Sequence, residues 1–251
     1  MGFVSIAKGA LSELIREPLL FLPQLISTTL FIPPYLMLFQ ATAQLASNPY
    51  LASSLLPEET TALAIILVLT PPWIFLNSLY PELIRQRERT GRLQFKEAAK
   101  HVWKRYLKIL AFYLLTLILT FAIGLPFILM MAFGLIFLLP LFALGLLLLV
   151  AAIFGLGILF YFTPSSIVIG NSGIIGTFKE SAALSRQNFS FVFWLTLLSF
   201  AVLLLGFYAG GALQTLGVIG FIAGRYVGAI LTVYLWVINP AAYLHLVNKR
   251  A

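Results

Sequence analysis

The chain has 251 residues, 61% of them apolar and only 10% charged, with a mean hydropathy of +1.01 and a formal charge of +8. Soluble proteins carry roughly 25% charged residues, so this composition excludes a water-soluble globular domain. The absence of cysteine excludes disulfides, thiolate metal sites and cysteine nucleophiles, and with only His101 and His245 no histidine metal centre and no cofactor is expected.

In chain order, Glu13 and Glu17 interrupt the region before the first apolar run and no small-residue cleavage site follows, so Leu19 onward reads as a retained helix rather than a cleaved signal. Apolar runs of spanning length lie near residues 18 to 42, 61 to 84, 107 to 132, 137 to 163, 190 to 213 and 220 to 246. A hydrocarbon core of about 30 Å needs roughly 20 residues of helix per crossing. Between Lys108 and Lys179, 70 consecutive residues carry no Asp, Glu, Lys or Arg, a stretch that is stable only in lipid. Six spans with both termini inside place 15 of the 16 Lys and Arg residues on the cytoplasmic side, including Lys249 and Arg250. A seventh span would move Lys179 and Arg186 outside together with the C-terminal pair. The expectation is one all-α, polytopic domain over residues 1–251, a multi-pass cell-membrane protein with cytoplasmic N- and C-termini. Arg225 alone falls outside, in the first turn or two of the last span, close enough to the surface to snorkel.

The polar segments carry a repeat. Phe95-Lys96-Glu97-Ala98-Ala99 recurs as Phe178-Lys179-Glu180-Ser181-Ala182, 83 residues on, and Pro81 and Pro164 are separated by the same distance. Together with Tyr80-Pro81-Glu82, Thr163-Pro164-Ser165 and Asn239-Pro240-Ala241, this predicts pseudo-repeats over about 1–84, 92–169 and 174–246. Each is a cytoplasmic amphipathic helix followed by a helical hairpin, giving six transmembrane helices as three hairpins. In the middle unit Phe95, Val102, Trp103, Tyr106 and Leu110 recur at three- and four-residue steps. Lys96, Lys100, Lys104 and Lys108 form a stripe on another face, with Arg105 beside it. Such a helix is expected to lie along a membrane surface, where its basic face attracts anionic headgroups. Topology enforcement alone would also require these charges. Nucleic acid is disfavoured as a partner, because the positive-inside rule already accounts for the basic residues.

No Asp, Glu, Lys or Arg is expected at mid-depth, which disfavours proton- or sodium-coupled transport. The first hairpin nevertheless has Pro33-Pro34 and Pro71-Pro72 near the middle of its helices. Both helices are expected to kink there, with Gln24, Thr28, Thr29, Thr70 and Asn77 as the polar groups nearest the freed carbonyls. These five are the candidate solute residues. In the last hairpin Gly206 and Gly210, and Gly220, Gly224 and Gly228, recur every four residues and leave a face for close helix packing. That face joins spans five and six within the chain or mediates a homo-oligomer; the two series lie on consecutive antiparallel helices, which favours the first use.

Phe162-Thr163-Pro164-Ser165-Ser166-Ile167-Val168-Ile169, followed by Gly173, Phe178 to Ser181, Leu184, Arg186 and Asn188, resembles a segment of six-span bacterial and archaeal membrane proteins. These include the membrane domain attached to some glycerophosphodiester phosphodiesterases. The resemblance covers about residues 160 to 200 and implies a six-helix fold. It implies no hydrolase activity, because the acidic catalytic barrel of those enzymes has no counterpart here. Three functions are weighed. The leading one is a non-enzymatic membrane protein that organises anionic lipid or a protein partner through its basic cytoplasmic collar. The alternative is an uncoupled channel or transporter for a small solute using the first hairpin. A lipid-directed enzyme is third; it would need Glu97, Glu180, His101 and His245 to converge, whereas Glu97 and His101 already read as a surface i,i+4 pair.

Overall fold

Lipid offers the peptide backbone no hydrogen-bonding partner, so an apolar chain must satisfy its own N–H and C=O groups, and a helix does so locally. The computed structural model describes residues 2–48, 50 and 52–249 and is all-α, with no strand among the described residues. Its helices are α1 (Phe3–Arg16), α2 (Leu22–Ser47), α3 (Ala52–Asn77), α4 (Leu79–Thr90), α5 (Phe95–Phe137), α6 (Leu139–Leu159), α7 (Thr163–Ile169), α8 (Ile174–Gln187), α9 (Phe189–Gln214) and α10 (Gly217–Asn248). A 3-10 turn over Pro18–Phe21 joins α1 to α2. Arg250, counted above with the cytoplasmic charges, lies outside the described residues.

Six segments are long and apolar enough to cross a bilayer: Pro18–Ser47, Ser54–Thr90, Phe95–Ile136, Leu139–Ile169, Phe189–Gln214 and Gly217–Asn248. The molecule is a polytopic membrane protein. Helix α2 packs on α3 and α10, α3 on α5, α5 on α6, α6 on α9 and α9 on α10, so the spans close a ring in chain order. Short connections between antiparallel neighbours favour that order. At the end rich in basic residues the ring is filled by α4, α7 and the C-terminal part of α10, the segments that carry Pro81, Pro164 and Pro240. Tyr80, Leu83, Ile167, Val168 and Ile238 are fully buried in this core.

The helix breaks fall at this end rather than at mid-membrane. Helices α2 and α3 run on through Pro33-Pro34 and Pro71-Pro72, whereas the second span is interrupted at Ser78 and the fourth over Phe160–Phe162. Pro81 has no N–H for the carbonyl of Asn77, four residues back, and Pro164 starts α7 where no such bond is needed. Pro240 leaves α10 unbroken. At the first break the Tyr80 hydroxyl donates to the Leu20 carbonyl at 2.9 Å, tying α4 to the turn before α2. Tyr80→Phe is expected to cost about 1 kcal/mol through this bond, read as a lowered thermal midpoint with unchanged span count.

The middle amphipathic segment differs from its expected form. Residues 95 to 108 are the first turns of α5, a continuous helix of 43 residues, and do not lie flat as a separate element. The physical reason is local: from Phe95 no residue breaks the helix before Leu138, where extended backbone precedes Pro140, and Gly124 and Pro126 are absorbed within it. At 1.5 Å per residue α5 is roughly 65 Å long, twice the hydrocarbon thickness, so its basic first turns project from the membrane.

Candidate functional site

Two places gather polar side chains. At the basic end, α5 and α7 meet where α7 terminates, and the unpaired carbonyls of a helix end attract cations. Arg105 donates to the Val168 carbonyl and to Asn171 Oδ1, both at 2.9 Å, and also to the Gly170 carbonyl. Lys108 Nζ donates to the Ser172 carbonyl, and His101 Nε2 lies 3.2 Å from the Val168 carbonyl. Arg105 therefore caps α7 and Lys108 holds the turn that follows it; both are half-buried, whereas Lys96, Lys100 and Lys104 are exposed. His101 also faces buried Glu82 at 3.7 Å, so the expected Glu97–His101 pairing is replaced by one across helices.

Glu180 is bound from three sides. Ser166 donates to Oε2 at 2.8 Å, Ser172 to the same oxygen at 3.1 Å and Tyr243 to Oε1 at 2.6 Å. The four residues considered for lipid chemistry do not converge: Glu180 sits in this hydroxyl cage and His245 lines a cavity between α1, α4 and α10, whereas Glu97 and His101 border another cavity together with Glu82. In that cavity Arg87 bridges Glu13 at 2.7 Å and Glu17 at 3.2 Å, fastening α1 to α4. Among the described residues no three His, Asp or Glu side chains gather to hold a metal ion.

The second place lies between the long apolar helices. Gln24, Thr28 and Thr70 face one cavity of about 300 Å³ between α2, α3 and α10, together with Ser27, Tyr35 and Arg225. The other two candidates lie elsewhere. Thr29 points to α10, 2.9 Å from the Tyr226 hydroxyl, and Asn77 is fully buried with its amide donating to the Trp73 carbonyl at 2.9 Å. Gln24 and Thr28 also border a neighbouring cavity of about 410 Å³ against α9, where Gly206, Gly210, Gly224 and Gly228 leave room between helices. Arg225 lines both.

Arg225 is the ninth residue of α10, roughly 12 Å along the axis from the helix start at the end away from the basic residues. Its guanidinium turns inward and sits 3.8 Å from the centre of the Tyr35 ring. The pairing with Tyr35 was not expected from the sequence. The available signal was on α2, where Gln24, Thr28, Phe31 and Tyr35 recur at helical spacing and mark one face suited to a polar or cationic neighbour.

The glycine series meets within the chain. A Cβ on Gly224 would lie 2.9 Å from the Gly210 carbonyl oxygen, and one on Gly206 3.7 Å from Gly228 Cα. Gly220 is closer still to the Leu213 carbonyl. Only a hydrogen fits at Gly224 and Gly220.

No curated protein and no solved structure matches the chain. One family model, described as a domain of unknown function (DUF7847), matches residues 1–246. Six spans and their basic end are covered by that match from first helix to last, and the chain belongs to this family.

Proposed function

We propose that the protein is a non-enzymatic component of the cell membrane that holds anionic lipid along the projecting end of α5, with both termini cytoplasmic. The observation that carries this reading is one strip of the α5 surface. At 100° per residue, Lys96, Lys100 and Lys104 share a sector with Trp103, Leu107 and Leu114. The lysines are exposed, and so are Trp103 at 69%, Leu107 at 79% and Leu114 at 58%. Along this strip positive charge passes into an aromatic ring and then into aliphatic surface, the order in which a phospholipid presents headgroup, interface and acyl chain. The orientation rests on the excess of Lys and Arg at this end of the molecule.

Each lysine contributes roughly 1 kcal/mol toward an anionic surface, so replacing Lys96, Lys100 and Lys104 together by Gln is expected to weaken retention of anionic lipid on the order of a hundredfold. Native mass spectrometry of protein extracted gently from its own membrane reads this directly. Equal retention of anionic lipid by the wild type and the triple variant would refute the reading.

A second reading, passage of a small solute without ion coupling, is favoured by the convergence of Gln24, Thr28 and Thr70 on one cavity. A flux assay in sealed vesicles that shows no solute entering faster than through protein-free lipid would dismiss it.

A further inference from the structure

We infer that the protein has a second anion site, in the cavities between α2, α9 and α10, in which Arg225 and Gln24 bind the oxyanion of a phosphate-bearing ligand. The inference does not depend on the α5 lipid strip, which involves none of these residues.

The argument begins with the cost of the charge. A half-buried guanidinium with no counter-charge is unfavourable unless it is paired or hydrated. No carboxylate lies within ion-pair distance of Arg225 among the described residues, and neither cavity that it lines has an acidic residue in its wall. The Tyr35 ring offsets part of the cost through its π face. It leaves the five N–H donors of the guanidinium, whose planar fork matches phosphate and carboxylate oxygens.

A second group points the same way. Gln24 is only 8% exposed, and its side-chain oxygen has no hydrogen-bond partner. A buried amide oxygen without a partner is costly, and which end of an amide carries the oxygen is interchangeable with its two N–H donors. Gln24 borders both cavities that Arg225 lines, with the Thr28 hydroxyl one helical turn along α2. A fixed cation, an unsatisfied amide and a hydroxyl around one space, with no negative charge present, select an oxyanion and reject a metal or organic cation.

The glycines decide how such a ligand gets in. On the α9 side the cavity wall is Gly206, Gly210 and Gly211, flanked by Val202 and by Phe207, which is 75% exposed. A phospholipid can lay an acyl chain on this apolar wall while its phosphate reaches Arg225. A free phosphate ion presents the same chemistry without the chain.

The test uses the whole protein in nanodiscs of phosphatidylcholine, which carry no net charge. Binding of inorganic phosphate and of short-chain phosphatidic acid is measured separately, with short-chain phosphatidylcholine as the control. One equivalent of phosphatidic acid is expected to bind. Binding of inorganic phosphate as well would identify a free-ion site; its absence would identify a lipid headgroup site. Arg225→Gln is expected to abolish binding and Arg225→Lys to restore it in part. Gln24→Leu removes an unsatisfied buried amide, so it should fold at least as well as the wild type, yet bind roughly tenfold more weakly. The variant with Lys96, Lys100 and Lys104 changed to Gln should bind like the wild type. The inference is overturned if neither phosphate compound binds, or if Gln24→Leu and a folded Arg225→Gln bind as tightly as the wild type.

Discussion

Replacing Gly224 by leucine is expected to leave little correctly folded protein, the largest effect of any single change considered for this molecule. A Cβ at this position would stand 2.9 Å from the Gly210 oxygen and 3.0 Å from its Cα, and these are backbone atoms with no rotamer to change. Overpacking of side chain on side chain typically costs about 1–3 kcal/mol. Here the only relief is to move α9 and α10 apart along their whole interface, so the cost should exceed that range. Within a membrane there is little hydrophobic force to hold displaced helices together, because lipid is as apolar as the interface it would replace. The control lies one turn away: a Cβ on Gly228 meets nothing within 4 Å, so Gly228→Ala should elute and melt like the wild type. Size-exclusion profiles and thermal midpoints in mild detergent read both. An intact Gly224→Leu monomer that has lost only an oligomer would assign the glycine face to contacts between chains instead.

The second large effect is expected at Glu180. Its two oxygens take hydrogen bonds from Ser166, Ser172 and Tyr243, which join α7, the turn after it and α10 to α8. Hydrogen bonds to a charged acceptor are worth about 1.5–3 kcal/mol each, although they do not add fully. Ser166 is completely buried and would keep a hydroxyl without an acceptor. Glu180→Ala is therefore expected to cost about 3–5 kcal/mol in unfolding free energy. Glu97, which occupies the matching place in the repeated Phe-Lys-Glu sequence, is exposed, and Glu97→Ala should stay within about 0.5 kcal/mol. Comparable losses in the two variants would show that the hydroxyl cage does not anchor the basic end. The double variant Glu180→Ala/Ser166→Ala should be less destabilised than the sum of the single changes, since the two share one bond.

Much of this molecule was legible in one dimension. The six spans follow from apolar runs of about 20 residues, because the thickness of the hydrocarbon fixes the length of helix and the need for backbone hydrogen bonds fixes its type. Gln24, Thr28 and Thr70 could be singled out because a polar residue inside an apolar run is conspicuous by itself. The helix breaks were less legible. Pro33-Pro34 and Pro71-Pro72 sit inside continuous helices, and the interruptions occur at Ser78 and Phe160–Phe162, where Pro81 and Pro164 coincide with the crowded meeting of α4, α7 and α10.

Hydropathy, charge counts and residue spacing determined, without coordinates, that this is an all-α membrane protein of six spans whose basic residues gather at one end. Those properties depend on the surrounding medium, which acts on each stretch of chain separately. Only the tertiary structure decided which charges are free. Arg105 and Lys108 are held by the end of α7 and the turn that follows it, more than 60 residues away, while Lys96, Lys100 and Lys104 remain available. Glu180 is caged and Glu97 is not, despite sharing a sequence motif. Arg225, 190 residues from Tyr35, is carried inward by the closure of the ring between α2 and α10. In each case the partner is distant in sequence, and its identity is set by how the helices pack, a property that no local window of residues contains.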